Sequence, residues 1–115
     1  MTNVCILLTM PPTPDPEAAE LALALATFEH DVQVICLGAG IAWLYKDQSA
    51  RKSGGKSPDK LLKAFPMYDI EKIGFRSQDL IPLTANSDQL LPVAEPMDDD
   101  AIRQTIANAK HCLSF

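Results

Sequence analysis

Short apolar runs alternate with amphipathic segments along this chain, and two of the runs are strongly apolar. Residues 32–37 form a nearly continuous run that is rich in β-branched side chains, and residues 4–8 form a second one. Runs of this kind are typical of strands that are buried on both faces, as in a parallel sheet. Weaker signals predict three further strands at residues 70–75, 90–94 and 111–115.

Helices are predicted between these strands. Asp15 is a good N-cap with Pro16 as the first helical residue, and the face of that helix is predicted to carry Leu21, Ala24, Leu25 and Phe28. Further helical segments are predicted at residues 41–45, 57–65, 77–83 and 98–109, with Asp98 as the cap of the last one. The alternation of strands and helices predicts an α/β fold with three layers, in which helices cover both faces of a five-stranded parallel sheet.

Length and composition limit the class of protein. With 115 residues, of which 47% are hydrophobic and 22% charged, we expect a single globular domain over residues 1–115. The sequence contains neither an apolar run long enough to cross a membrane nor a basic start typical of a signal peptide, so a cytoplasmic location is expected. The net charge of -5 disfavours direct binding to nucleic acid. Residues 47–57 are rich in lysine, glycine and serine, which predicts a mobile, solvated loop.

The three cysteines are Cys5, Cys36 and Cys112. Their number is odd and they lie far apart in the sequence, which argues against a disulfide framework and against a zinc site. Each lies in or beside an apolar strand, so packing in the core is the main interpretation. Cys36 lies nearest to the carboxyl edge of a predicted strand. No metal ligands, cofactor site or catalytic constellation are predicted.

Large adaptable side chains are concentrated in two short segments. The first segment holds Trp43 and Tyr45, and the second holds Met67 and Tyr68. Core packing accounts for some of them, but aromatic residues and methionine are also enriched in protein interfaces. We therefore predict that part of this set forms a subunit interface.

The order and spacing of four stretches resemble a known family. The stretches are residues 34–44 (Val-Ile-Cys-Leu-Gly-Ala-Gly-Ile-Ala-Trp-Leu), 67–71 (Met-Tyr-Asp-Ile-Glu), 93–98 (Val-Ala-Glu-Pro-Met-Asp) and 112–115 (Cys-Leu-Ser-Phe). With these, the chain resembles the DsrE/DsrF-like family of small sulfur-relay proteins, also called Tus proteins. Its closest likeness is to the TusC/DsrF subunit. The resemblance implies a five-stranded parallel sheet between helices and an oligomeric assembly.

The resemblance also implies partners and a pathway. TusB, TusC and TusD form a heterohexamer, as DsrE, DsrF and DsrH do, and such complexes pass persulfide sulfur toward 2-thiouridine in tRNA or serve intracellular sulfur oxidation. The sulfur-carrying cysteine belongs to the TusD/DsrE subunit and follows its third strand. Residues 73–80 match that region and contain no cysteine. A persulfide requires a thiolate, so no catalytic residue is carried over to this chain.

Three functions remain open from the sequence. The leading one is a non-catalytic subunit of a sulfur-relay complex, with TusB/TusD-like or DsrE/DsrH-like siblings as partners. The second is a homo-oligomeric binding or regulatory protein with the same fold. The third is an enzyme that uses Cys36 as a sulfur carrier. None of them predicts a membrane or direct nucleic-acid partner.

Overall fold

The chain folds around a parallel sheet. The computed structural model describes residues 3–12, 17–46, 57–83 and 87–115. Its strands are β1 (Asn3–Leu8), β2 (Asp31–Cys36), β3 (Ile73–Arg76), β4 (Ala94–Met97) and β5 (His111–Ser114). They lie in the order β4-β3-β2-β1-β5, and every neighbouring pair is parallel. The two most apolar runs of the sequence therefore lie side by side inside the sheet, as β1 and β2.

Helical segments cover both faces of the sheet. The α-helices are α1 (Glu17–Thr27), α2 (Pro58–Lys63) and α3 (Asp99–Asn108), and 3-10 helices are formed at Gly38–Leu44, Phe65–Tyr68, Ser77–Leu80 and Ser87–Gln89. In the described part of the chain, no helix has the length and apolar character that crossing a membrane requires. The α/β fold with three layers, predicted from the alternation of elements, is confirmed.

The two faces of the sheet bury unequal cores. Because successive side chains of a strand point to opposite faces, Ile6 and Val34 face the larger core, which also contains buried residues of α1 and α2. Cys5 and Ile35 face the smaller core, in which Ile102 of α3 is buried. The layer that carries α3 is therefore the thinner one.

The fourth strand is not where the sequence predicted it. The prediction was residues 90–94, but β4 spans Ala94–Met97 and contains Pro96. Proline cannot donate to a neighbouring strand, so it is tolerated in sheets mainly on edge strands. In the described part of the chain, β4 is an edge strand that pairs with β3 alone. Pro96 therefore lies within the strand and does not end it.

The apolar residues of the predicted fourth strand form a buried connection instead. Leu90, Leu91 and Val93 are all buried in the larger core. Leu91 N–H donates to Leu44 O at 2.8 Å, and Tyr45 pairs with Leu90 in an isolated antiparallel bridge. These residues are apolar because they are buried in the core, and not because they belong to the sheet.

Helix α1 buries the predicted face only in part, since Leu25 of that face is partly buried against the larger core. Its fully buried residues are Ala18, Ala19 and Ala22, whereas the predicted Phe28 is 76% exposed. The helix is apolar almost all round, so periodicity alone does not select the buried side. It ends at Thr27, and Glu29 follows in the left-handed region with φ 66°. Phe28 is therefore carried outward in the turn that ends the helix.

Other element boundaries differ by smaller amounts. The predicted strand 70–75 begins later, at Ile73, and the helix predicted at residues 41–45 is a 3-10 helix that already begins at Gly38. Asp98 caps α3 as predicted, with its carboxylate accepting from Ala101 N–H at 2.8 Å. Asp15 and residues 47–56 of the predicted mobile loop lie outside the described residues.

Candidate functional site at the carboxyl edge of the sheet

The carboxyl ends of the parallel strands meet at one edge of the sheet, which is where α/β proteins commonly place chemistry. The turn after β2 begins at Gly38, β3 ends at Arg76, and α3 begins just beyond β4. The family resemblance places a sulfur-carrying cysteine of a related subunit immediately after the third strand. In this chain Arg76 and Ser77 occupy that place.

Arg76 holds this edge together through two carboxylates. Its Nε donates to Asp99 Oδ1 at 2.6 Å and one Nη donates to Asp79 Oδ1 at 2.8 Å. The other Nη donates to Asp99 Oδ2 at 3.3 Å and to Gln78 Oε1 at 3.0 Å. Because two guanidinium nitrogens contact the Asp99 carboxylate, the orientation of the guanidinium plane is fixed as well as its distance from that carboxylate. Arg76 therefore joins the end of β3 to the first turn of α3.

Asp79 extends this network to the turn after β2. Its Oδ2 accepts from the backbone N–H of Gly38 at 2.8 Å, while its Oδ1 contacts Arg76. Gly38 has φ 54°, a left-handed conformation that glycine adopts without strain. One carboxylate thus fixes two neighbouring strand ends, and its side chain is only 16% exposed.

The charges at this edge disfavour a reactive thiolate. Two carboxylates contact a single guanidinium, and the first turn of α3 adds Asp100. Reactive cysteines lie in electropositive surroundings that lower the thiol pKa. The positive charge of Arg76 is already neutralised, so a thiol here would receive little such help. This arrangement links the ends of β2 and β3 to the first turn of α3.

The Arg76 network gives stability a defined dependence on pH. The hydrogen bond from Arg76 is the largest cause that lowers the pKa of Asp99. A carboxyl whose folded pKa is depressed stabilises the fold above its unfolded pKa of about 3.9, and this contribution is lost as the pH falls through the folded value. We expect the melting temperature of Asp99→Asn to lie below that of the wild type by a constant amount at neutral pH. The difference should shrink below about pH 4.

Circular dichroism melts of both proteins across this pH range test the expectation. Asp100→Asn is the matched control, because Asp100 is 83% exposed at its side chain and pairs only with Arg103 in the described residues. Exposed pairs of this kind contribute about 0–1 kcal/mol. A difference for Asp99→Asn that remains unchanged in acid would show that the ion pair does not stabilise the edge.

The 3-10 helix after β2 packs directly on the backbone of β1. Gly40 is buried, and a Cβ at that position would lie 1.7 Å from Leu8 O. Gly40 N–H donates to Leu37 O, and the Trp43 indole donates to Met10 O at 3.1 Å. The second glycine of the Gly-Ala-Gly turn is therefore required by close packing between two strand ends.

Cys36 is sealed inside the larger core. It is the last residue of β2, its exposed fraction is 0%, and burial raises the pKa of its thiol. A sulfur carrier must present a thiolate to its donor and its acceptor. The interpretation of Cys36 as a packed core residue is favoured by this position, and its use as a carrier is disfavoured.

The four predicted interface residues separate into two groups. Trp43 is 4% exposed and belongs to the core, and Tyr45 is half-buried against it. Met67 is 84% exposed and Tyr68 is 42% exposed. Met67 and Tyr68 therefore present more surface to a partner than Trp43 does, and the interface itself stays a prediction.

An acidic cavity adjoins that exposed pair at the amino edge of the sheet. It has a volume of about 350 Å³ and lies between the end of α1 and the 3-10 helix at Phe65–Tyr68. Its polar lining includes Glu29, His30, Asp31, Tyr68 and Asp69. Within the described ranges, no group of three or more His, Cys, Asp or Glu side chains is arranged to hold a metal ion.

Sequence reasoning missed the Arg76 network. The spacing of Arg76 and Asp79 is compatible with a local ion pair, and this signal was available. Nothing in the sequence shows that Asp99 faces a guanidinium 23 positions earlier. The contact arises from the parallel pairing of β3 and β4, which brings both carboxyl ends together.

Comparisons with known proteins agree with the fold. The model of the DsrE/DsrF-like family matches residues 2–115. Two relatives, each named "Protein TusC homolog" and found in Vibrio parahaemolyticus and Vibrio vulnificus, are 26% identical over 99 residues, covering 86% of this chain and 84% of theirs. The crystal structure of the ychN protein from E. coli is similar with a TM-score of 0.86 and 15% identity, covering 100% of both chains. At that identity the likeness concerns the fold alone.

Proposed function

The chain belongs to the DsrE/DsrF-like family, and from this membership we propose that it is a subunit of a sulfur-relay complex that carries no persulfide itself. The observation that supports the proposal most directly is Arg76, which lies in the region that the family resemblance matches to the cysteine-bearing segment of the sulfur-carrying subunit. Its guanidinium is bound by Asp79 and Asp99. The role of the chain would be to complete and stabilise an assembly whose chemistry takes place on a sibling.

The likeness to the TusC homologs supports a more specific form of this proposal. The chain would occupy the TusC/DsrF position in a heterohexamer with TusB/TusD-like or DsrE/DsrH-like siblings, serving tRNA thiolation or sulfur oxidation in the cytoplasm. The alternative is a homo-oligomeric protein with a binding or regulatory role. Co-purification from the native host distinguishes them, since the first requires a sibling with a cysteine after its third strand and the second recovers this chain alone.

The absence of sulfur on Cys36 can be tested directly. We expect Cys36→Ala to leave sulfur transfer by the reconstituted complex within about twofold of the wild-type rate, because a buried thiol of raised pKa is unreactive. The assay follows labelled sulfur from a cysteine desulfurase to the final acceptor. Peptide mass spectrometry of this subunit during turnover provides the second readout. A persulfide found on Cys36, together with a lost transfer rate, would replace the proposal with the enzyme interpretation.

The predicted interface can be tested by introducing a charged side chain into it. Because Met67 is 84% exposed, Met67→Glu should leave the fold intact, and it should weaken assembly by about 1–4 kcal/mol if the side chain anchors a partner. Ile81→Glu is the matched control, since Ile81 is 77% exposed and follows the opposite, carboxyl end of β3. Sedimentation velocity at several concentrations measures the assembly. Loss of assembly in Ile81→Glu but not in Met67→Glu would move the interface to the carboxyl edge.

A further inference from the structure

Two of the three cysteines, which the sequence separates by almost its whole length, lie side by side in the sheet. Cys5 of β1 and Cys112 of β5 are direct partners in the register of these parallel strands. Paired residues on neighbouring strands extend their side chains to the same face of the sheet. The pairing is a result of topology, because β5 is the last strand and returns to the side of the first one.

The spacing of the pair is suitable for a covalent link. Neighbouring strands lie about 4.7–4.9 Å apart, and the two Cα atoms of a disulfide are usually about 4.4–6.8 Å apart. β5 is an edge strand of four residues, all exposed, and among the described residues its one partner strand is β1. A short edge strand can shift by the small amount needed to bring the two sulfur atoms into bonding distance.

The two thiols have unequal access to reagents. Cys5 is buried, as predicted, whereas Cys112 is exposed, so the interpretation of Cys112 as a core residue is wrong. Burial is the largest cause that raises the pKa of Cys5 to about 12, and the neighbouring Cys112 raises it further. Cys112 is therefore the sulfur that an external reagent reaches first, and Cys5 is a second thiol held within reach of whatever forms there.

We infer that Cys5 and Cys112 form a redox-active dithiol, which a small-molecule disulfide oxidises to a disulfide between β1 and β5. In the first step the Cys112 thiolate attacks one sulfur of the external disulfide, whose S–S bond breaks and releases one thiolate. In the second step the Cys5 thiolate attacks the Cys112 sulfur of this mixed disulfide and displaces the second external thiolate. Two protein thiols are oxidised, one external disulfide is reduced, and the two protons pass to the released thiolates.

The oxidised and reduced forms differ in two respects at the edge of the sheet. Oxidation removes the exposed thiol of Cys112 and joins β5 covalently to β1. The last strand is otherwise held by backbone hydrogen bonds, among them Lys110 N–H to Asn3 O and Phe115 N–H to Leu7 O, both at 2.9 Å. The pair is thus a modification site that this arrangement of strands creates and that lies away from the Arg76 network.

The experiment treats the folded full-length chain with glutathione disulfide, blocks remaining thiols with N-ethylmaleimide, and maps peptides under non-reducing conditions. Cleavage before aspartate separates the three cysteines into residues 1–14, 31–46 and 100–115. We expect residues 1–14 and 100–115 to be linked, and the link to disappear on reduction. Closure should accelerate about tenfold for each unit of pH above neutrality, because the thiolate fraction of Cys5 rises in that proportion.

Two variants make the outcome decisive. Cys36→Ser should form the same link, since Cys36 faces the opposite core, and Cys112→Ser should form none. The inference is overturned if Cys112 retains only bound glutathione, or joins two chains, while Cys5 in the same sample remains free to be alkylated after denaturation. It is equally overturned if the folded protein links residues 1–14 to residues 31–46.

Discussion

Gly40→Ala is expected to destabilise the fold by about 3 kcal/mol or more, the upper end of the cost of overpacking. The new Cβ would lie 1.7 Å from Leu8 O and 2.4 Å from Leu8 C. Both atoms belong to the backbone of β1, so no change of rotamer relieves the clash. Either the 3-10 helix must move outward or the end of β1 must shift. The second movement would break the bond from Leu37 N–H to Leu8 O, which is now 2.9 Å long.

Gly38→Ala is the matched control for this effect. Gly38 has φ 54°, but among the described residues no atom beyond its two chain neighbours lies within 4 Å of the position of its Cβ. Alanine there costs only the strain of a left-handed conformation, about 1 kcal/mol. Urea denaturation of both variants measures the two effects on one scale. If Gly40→Ala is no more harmful than Gly38→Ala, the contact between the turn and β1 is not tight in solution.

The parts of the fold that the sequence predicted are those with local signals. The runs that became β1 and β2 are continuous and β-branched because both faces of a central strand are buried. The cap of α3 was predicted because Asp98 bonds to a backbone N–H three residues away. Signals of this kind require no knowledge of what the segment packs against.

The errors occurred where tertiary position decides the outcome. Pro96 is compatible with a strand only because β4 lies at the edge of the sheet. Leu90 and Leu91 are as apolar as strand residues, but they are buried in a connection that crosses beside the 3-10 helix at Gly38–Leu44. The buried side of α1 is set by the fit of small alanines against the sheet. None of these three outcomes can be recognised from a few neighbouring residues of the sequence.

The same limit applies to the candidate sites. Arg76 meets Asp99 because two parallel strands end side by side, and Cys5 meets Cys112 because the last strand pairs with the first one. The odd number of cysteines and their distance in sequence argued against a disulfide framework. That reasoning uses only the number of cysteines and their positions in the sequence, and it applies to structural disulfides in general. It does not detect a pair of thiols brought together by the order of strands.

Phe65→Ala is expected to cost about 3–5 kcal/mol of folding stability, as is usual when a buried phenylalanine is truncated. Phe65 follows α2 and has an exposed fraction of 0% in the larger core. Its ring leaves a cavity that the neighbouring segments cannot fill, because α2 is fixed by Leu61 and Leu62, which are also buried. Thermal and urea denaturation should both show the loss.

Met67→Ala, two residues further along the same 3-10 helix, provides the contrast. Met67 is 84% exposed, so its truncation should change the stability of the isolated subunit by no more than about 0.5 kcal/mol. If Met67 anchors a partner, the same change should weaken assembly by about 1–4 kcal/mol. Phe65 therefore reports folding and Met67 reports association, although both come from one short apolar stretch. Equal losses of stability in the two isolated variants would mean that Met67 packs into the core, and the predicted interface would lose its anchor.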